Sequence, residues 1–155
     1  MKPANIALTM LAFGIFGALG SRIGGTGVDK WGSSRMLLYG LAAHIIPLAL
    51  LPLFNFTLAG GLAVITLWIF AMFMIAPAVQ TYFIQAAPES SSLVLSLNTS
   101  IIHLGLAAGA GLGGVVVTSL STVLYNPWVA GGAILLSFIA AIASFSMREK
   151  KLQKA

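Results

Sequence analysis

Apolar positions in this chain come in five long runs, each bounded by charge, glycine or proline. The first extends from about Ala4 to Gly25, with Arg22 near its inner end. The second extends from about Met36 to Phe54 and contains Pro47 and Pro52. The third, Leu58 to Ala86, is the longest and carries Pro77; the fourth covers Ser92 to Ser119 and the fifth Trp128 to Met147. A bilayer crossing takes ~20 apolar residues, and helices are the only open-chain way to cross lipid, because each backbone N–H must be paired within its own segment. The pattern therefore predicts an all-α membrane protein of five transmembrane helices. At 1.5 Å per residue the third run spans about 43 Å, more than a ~30 Å hydrocarbon core. It is expected to tilt, to kink at Pro77, or to protrude into the headgroups.

Composition agrees. Of the 155 residues 59% are hydrophobic and only 7% charged, and mean hydropathy is +1.01; a soluble domain carries roughly a quarter charged residues. There is no cysteine, which removes disulfides and thiolate metal sites, and two histidines with three acids are too few for a usual metal cluster. No metal, cofactor or enzymatic chemistry is called for. The formal charge of +5 would elsewhere suggest nucleic acid. Here the cations sit at the ends of apolar runs, so lipid is the expected partner and nucleic acid is not. Arg22, Lys30 and Arg35 cluster after the first run, and Arg148, Lys150, Lys151 and Lys154 form the tail 148–155. The connections near Asn55 and over 120–127 carry no charge. Positive-inside bias then puts the 26–35 loop, the Pro88–Ser91 turn and the tail in the cytoplasm, with the N-terminus outside a cell (inner) membrane.

Candidate chemistry is sparse. The stretch Gly24–Arg35 is expected to be a tight turn whose glycines take left-handed conformations, with Asp29 capping or facing a helix N-terminus. It either only fixes topology or forms a working loop. On the fourth run Asn98, Ile102, Gly105, Gly109 and Gly113 share a face, and Ser96, Thr99, His103, Ala110 and Gly114 share a neighbouring strip. The glycines Gly105, Gly109, Gly113 and Gly114 suit a seam where another backbone comes close. The first run repeats the device with Gly14, Ala18, Ser21 and Gly25. On the third run Thr66, Ile69, Phe73, Ala76 and Gln80 fall together, while Trp68 and Tyr82 point elsewhere. A polar residue in a membrane helix usually faces protein or a water-filled cavity. His44 and His103 either relay protons or sit neutral, each bonded to a nearby carbonyl. Trp128 and Tyr125 suit interfacial anchors.

Gly25, Asp29, Lys30 and Gly32 match the G-x-x-x-D-[RK]-x-G core of the loop motif of the major facilitator superfamily. The family prefers basic residues directly after the last glycine; Ser33 and Ser34 stand there, with Arg35 just beyond, as suits the second-half copy between the eighth and ninth helices. The stretch from Gln80 through Ala87-Pro88-Glu89, then Ser96-Leu97-Asn98 and Gly105, Gly109, Gly113 and Gly114, resembles the tenth and eleventh helices of the drug/proton antiporter group, closest to its sugar, arabinose and purine efflux branch. The resemblance covers nearly the whole chain, as the eighth to twelfth helices of twelve. It implies part of a secondary transporter exporting small solutes or drugs by alternating access, driven by protons. The coupling acid would then lie in the N-terminal half that is missing or supplied by a partner chain. It also implies a conformational role for Gly25, Asp29, Lys30, Gly32 and Arg35, and a substrate cavity near Thr66, Phe73, Gln80, Asn98 and His103. The alternative is a truncated or orphan membrane module with no transport activity alone.

Overall fold

A computed structural model describes residues 3–54 and 56–152, with side chains described from Ala4 to Met147. It is all-helical: α1 (Pro3–Trp31), α2 (Ser33–Leu50), α3 (Leu58–Ala86), α4 (Ser91–Leu120) and α5 (Asn126–Leu152). Five helices are long and apolar enough to cross a membrane. Connections are short. Single-turn 3-10 segments at Leu51–Leu53 and Pro88–Ser90 follow α2 and precede α4, each with proline in its first turn, where the missing N–H costs nothing. Thr57 starts α3 by accepting a hydrogen bond from the Gly60 N–H at 3.1 Å, and Ser121, at φ 53, ends α4 in the left-handed region. The helix α3 runs unbroken through Pro77.

The largest departure from expectation is at the first connection. α1 does not stop at Gly25 but continues through Gly24, Gly25, Gly27 and Asp29 to Trp31. Only Gly32 leaves the helix, at φ 83 and ψ 159, a region essentially reserved for glycine. The reason is packing. A Cβ on Gly20 or Gly24 would run into the carbonyl oxygens of Phe70 and Met74 on α3, and one on Gly27 into the Met36 sulfur on α2. These glycines serve the approach of backbone to backbone, not a turn. Gly17 belongs to the same stripe; a Cβ there would lie 3.2 Å from the Phe73 ring. Gly14 and Gly25, on the stripe that periodicity alone picked, have open space around them.

Around this contact α1, α2 and α3 form the core. Met36, Met74 and Ala78 are buried at its centre, with Val28, Leu37, Ala43 and Phe70 packed against them. Exposed Trp31 and Tyr39 meet edge to face across the Gly32 turn, ring centroids 6.0 Å apart. α5 lies against α2, with Leu48 near Gly131, and Tyr82 of α3 meets Phe145 of α5 at 5.2 Å. α4 stands at the margin with limited contact to α3 and α5, and every residue from Thr99 to Leu112 is exposed. α5 continues beyond Met147 into the tail, whose basic side chains lie outside the described residues.

Candidate functional site

The polar side chains buried between helices are few, so each can be followed to its partner. Ser33, the first residue of α2, is buried and donates from Oγ to Gln85 Oε1 at the end of α3, at 2.7 Å. The bond pins the Gly32 turn to α3. No side chain caps α2, so Asp29 does not take the capping role expected of it. It stands exposed in the last turn of α1, where the helix dipole disfavours a carboxylate and favours its neighbour Lys30. Lys30 and Arg35 are exposed as well.

Deeper in the bundle, the Trp68 indole N–H of α3 donates to His44 Nε2 of α2 at 2.7 Å, the rings standing edge to face. His44 is 8% exposed, and its partner is a tryptophan rather than the carbonyl expected from sequence. An indole can only donate, so Nε2 is the unprotonated nitrogen and the proton of the neutral ring is on Nδ1. That Nδ1 is buried and has no hydrogen-bond partner.

His44 lines a cleft of about 360 Å³ between α2, α3 and α4. Gln80 of α3 and Asn98 of α4 line it too, so two of the five sequence-picked cavity residues are brought together. The remaining walls are apolar, chiefly Met72, Ile75, Val79 and Ile102, and no charged side chain takes part. The other three candidates are elsewhere. Thr66 donates its hydroxyl to the Leu62 carbonyl of its own helix, Phe73 packs on Gly17 of α1, and His103 is exposed on α4. The face of α3 that meets the cleft shares Ala76 and Gln80 with the one periodicity selected and is rotated from it toward Met72, Ile75 and Val79. Sequence reasoning did not pair His44 with Trp68. The available signal was that each is a polar-edged ring within an apolar run, and such rings seek partners when buried.

Along α4 the four glycines divide. A Cβ on Gly113 would lie 3.4 Å from the Asn126 amide nitrogen at the start of α5, and Gly109 borders a gap between α4 and α5. Gly105 and Gly114 meet nothing within 4 Å.

Comparison with known proteins places this arrangement. The chain is 35% identical over 145 residues, 94% of its length, to the uncharacterized MFS-type transporter YbcL of Bacillus subtilis. It is 28% identical over 144 residues to the uncharacterized MFS-type transporter YtbD of the same organism, covering 88% of the chain. It is 27% identical over 143 residues, 90% of the chain, to the inner membrane transport protein YdhP of Escherichia coli. With five spanning helices and these relatives, the chain is a multi-pass membrane protein. Two of these relatives, YbcL and YtbD, are named as MFS-type transporters. The chain spans 36–37% of the length of these curated relatives. No family model matches it, and no solved structure matches it significantly.

Proposed function

We propose that this chain is the eighth-to-twelfth-helix part of a major facilitator transporter, contributing one wall of a solute export path worked by alternating access. One observation carries the reading. A chain similar to just over a third of a transporter's length leaves every residue of α4 from Thr99 to Leu112 exposed, although that helix is as apolar as a core helix. The rest of the transporter, or a partner chain, supplies the cover. In this reading Gln80 and Asn98 face small solutes of the sugar, purine or drug class, and protons drive export through an acid outside this chain. The glycines of α4 form a moving contact with the other half.

Topology follows from charge. The Gly32 turn and the tail lie in the cytoplasm, and the N-terminus outside. Asp29, Lys30 and Arg35 then stand together at the cytoplasmic surface, with Gly32 making the turn and Gly25 within α1 just before it. The position of Asp29 at a helix C-terminus is electrostatically unfavourable within this chain by ~0.3–1 kcal/mol. A cationic partner outside the chain offsets that cost.

The test is export from cells lacking their own efflux systems and carrying the whole gene, with a labelled pentose, a purine nucleoside and a cationic dye as solutes. Export above the empty-vector rate for at least one of them is expected, falling severalfold in Asp29→Asn at equal membrane abundance. No export of any of the three, or an unchanged rate in Asp29→Asn, refutes the reading.

A further inference from the structure

Two carboxamides stand inside spanning helices without a partner. Neither Gln80 of α3 nor Asn98 of α4 makes a side-chain hydrogen bond among the described residues. Both helices are long and apolar enough to cross a membrane, where a polar side chain left unpaired is costly and marks a solute path or a ligand. Both amides can be reached, Gln80 being exposed and Asn98 half-buried. The short Pro88–Ser90 segment joins the two helices, with Gln80 six residues before Ala86 and Asn98 seven after Ser91. By the helical rise each stands about 9–11 Å from that connection. The amides therefore share one level of the α2–α3–α4 cleft, whose wall they both form.

The rest of that wall narrows what can sit there. Its space of about 360 Å³ is at the small end for a ligand pocket, and Ile75, Val79 and Ile102 make it chiefly apolar. His44 adds no free polar atom, since Trp68 occupies Nε2 and Nδ1 is enclosed. No charged side chain lines the cleft; Glu89, the acid nearest in sequence, is exposed at the connection. An ion would enter without a counter-charge, which low-dielectric surroundings penalise heavily. A polyol fares little better, because hydroxyls beyond the reach of two amides would be desolvated without partners. Amides are suited to a donor and an acceptor side by side, since each offers a carbonyl oxygen and an NH2 group.

We infer that the α2–α3–α4 cleft binds neutral ring compounds bearing an N–H beside a C=O, as in a lactam or cyclic imide. The Gln80 and Asn98 amides hold that polar edge, and the ring body lies against Ile75, Val79 and Ile102. The inference narrows the solutes of the export reading and rests on it for the source of the ligand, though binding is measurable without transport.

Oxindole carries the lactam edge, and in 2-indanone a CH2 group replaces its N–H. Indane-2-carboxylate and 2-aminoindane put an anion and a cation on the same skeleton, and xylose serves as the polyol. Equilibrium binding of each is measured to the whole transporter in liposomes, corrected for partition into protein-free vesicles. Oxindole is expected to bind saturably and about tenfold more tightly than 2-indanone, which leaves an amide carbonyl unpaired. The ions and xylose are expected to bind more weakly than either. Gln80→Leu and Asn98→Leu should each cut the preference for oxindole severalfold, and the double variant should reduce it to within about twofold. Binding of 2-indanone reports in each case that the cleft is intact. Ser137→Ala, whose hydroxyl bonds only within α5, should leave the ranking unchanged. Equal affinity for oxindole and 2-indanone, an ion or xylose bound best, or a preference that survives loss of either amide overturns the inference. So does oxindole uptake that never saturates. Should a variant fail to fold, the wild-type ranking of the probes decides alone. Binding in the expected order without export of any solute leaves this site standing and removes the export reading; export at the wild-type rate with no probe bound does the reverse.

Discussion

Gly24 and Gly25 are adjacent in sequence and opposite in consequence. In Gly24→Ala the new methyl meets the Met74 carbonyl group, its carbon 3.0 Å and its Cα 3.1 Å from the ideal Cβ position. Ordinary contact needs about 3.4–4 Å, and the obstacle is helix backbone, which cannot swing aside as a side chain does. α1 and α3 must separate. Overpacking of this kind costs ~1–3 kcal/mol. In Gly25→Ala nothing lies within 4 Å, so the methyl enters free space. Both changes gain the same helix propensity, ~1 kcal/mol for alanine over glycine. That term cancels in the comparison, leaving Gly24→Ala less stable than Gly25→Ala by about 1–3 kcal/mol. Gly20→Ala meets the Phe70 carbonyl in the same way, one helical turn earlier. One separation of the helices relieves both clashes, so the Gly20→Ala/Gly24→Ala pair should cost less than the sum of its singles. The assay is reversible unfolding in mixed micelles, followed by helical circular dichroism and tryptophan fluorescence. If Gly25→Ala proves the more damaging of the two, or the double variant is strictly additive, the α1–α3 contact is not as described.

Gly32→Ala is expected to destabilise the chain by ~1–3 kcal/mol in the same assay. Gly32→Asn should do no better, because asparagine tolerates the left-handed helical region but not ψ 159; rescue by asparagine would mean the turn has another conformation. Ser33→Ala removes the bond to Gln85 and should cost about 1 kcal/mol. Its signature is faster amide hydrogen exchange in the first turn of α2 with the rest of α2 unchanged, and uniform exchange across α2 would contradict a local pin.

Much of the fold is legible in the sequence because lipid leaves the backbone one choice. Five apolar runs become five helices, and the third coincides with α3 from Leu58 to Ala86. What periodicity does not give is which face of a helix meets which neighbour. In a soluble protein the polar side of a helix marks solvent; here nearly every side is apolar, so two stripes of small residues on α1 look equally good. Gly14, Ala18, Ser21 and Gly25 lie about a third of a turn from the stripe that packs, Gly17, Gly20, Gly24 and Gly27. The same ambiguity groups Phe73 and Thr66 with Gln80, whereas neither lines the cleft beside Gln80. Glycine itself misled in one place. In water a Gly-Gly-x-Gly run signals a turn, but within lipid it is also the cheapest way to bring two helices together, and α1 uses it so. The cleft was half legible: Gln80 and Asn98 stand out as amides well inside apolar helices, whereas the His44–Trp68 bond joins residues far apart in sequence and depends on how α2 lies on α3.

The two glycine-rich helices can be judged by one standard. On α1 the buried glycines each answer to a named atom, a carbonyl of Phe70 or Met74, the Phe73 ring or the Met36 sulfur. α4 carries Gly105, Gly109, Gly111, Gly113 and Gly114, and only Gly113 has such an atom near it. Each glycine in a helix interior gives up ~1 kcal/mol of propensity relative to alanine. On α1 the loss is offset by backbone contact that no larger residue permits. On α4, among the described residues, Gly105, Gly109, Gly111 and Gly114 have no such contact, yet the helix carries as dense a run of glycines. Lipid chains do not supply the return, since they pack as well against alanine or leucine as against glycine. In the proposed assembly the return comes from another helix, approaching where α4 is open, between Thr99 and Leu112. The proposed assembly with the rest of a transporter therefore rests on the cost of these glycines as much as on kinship.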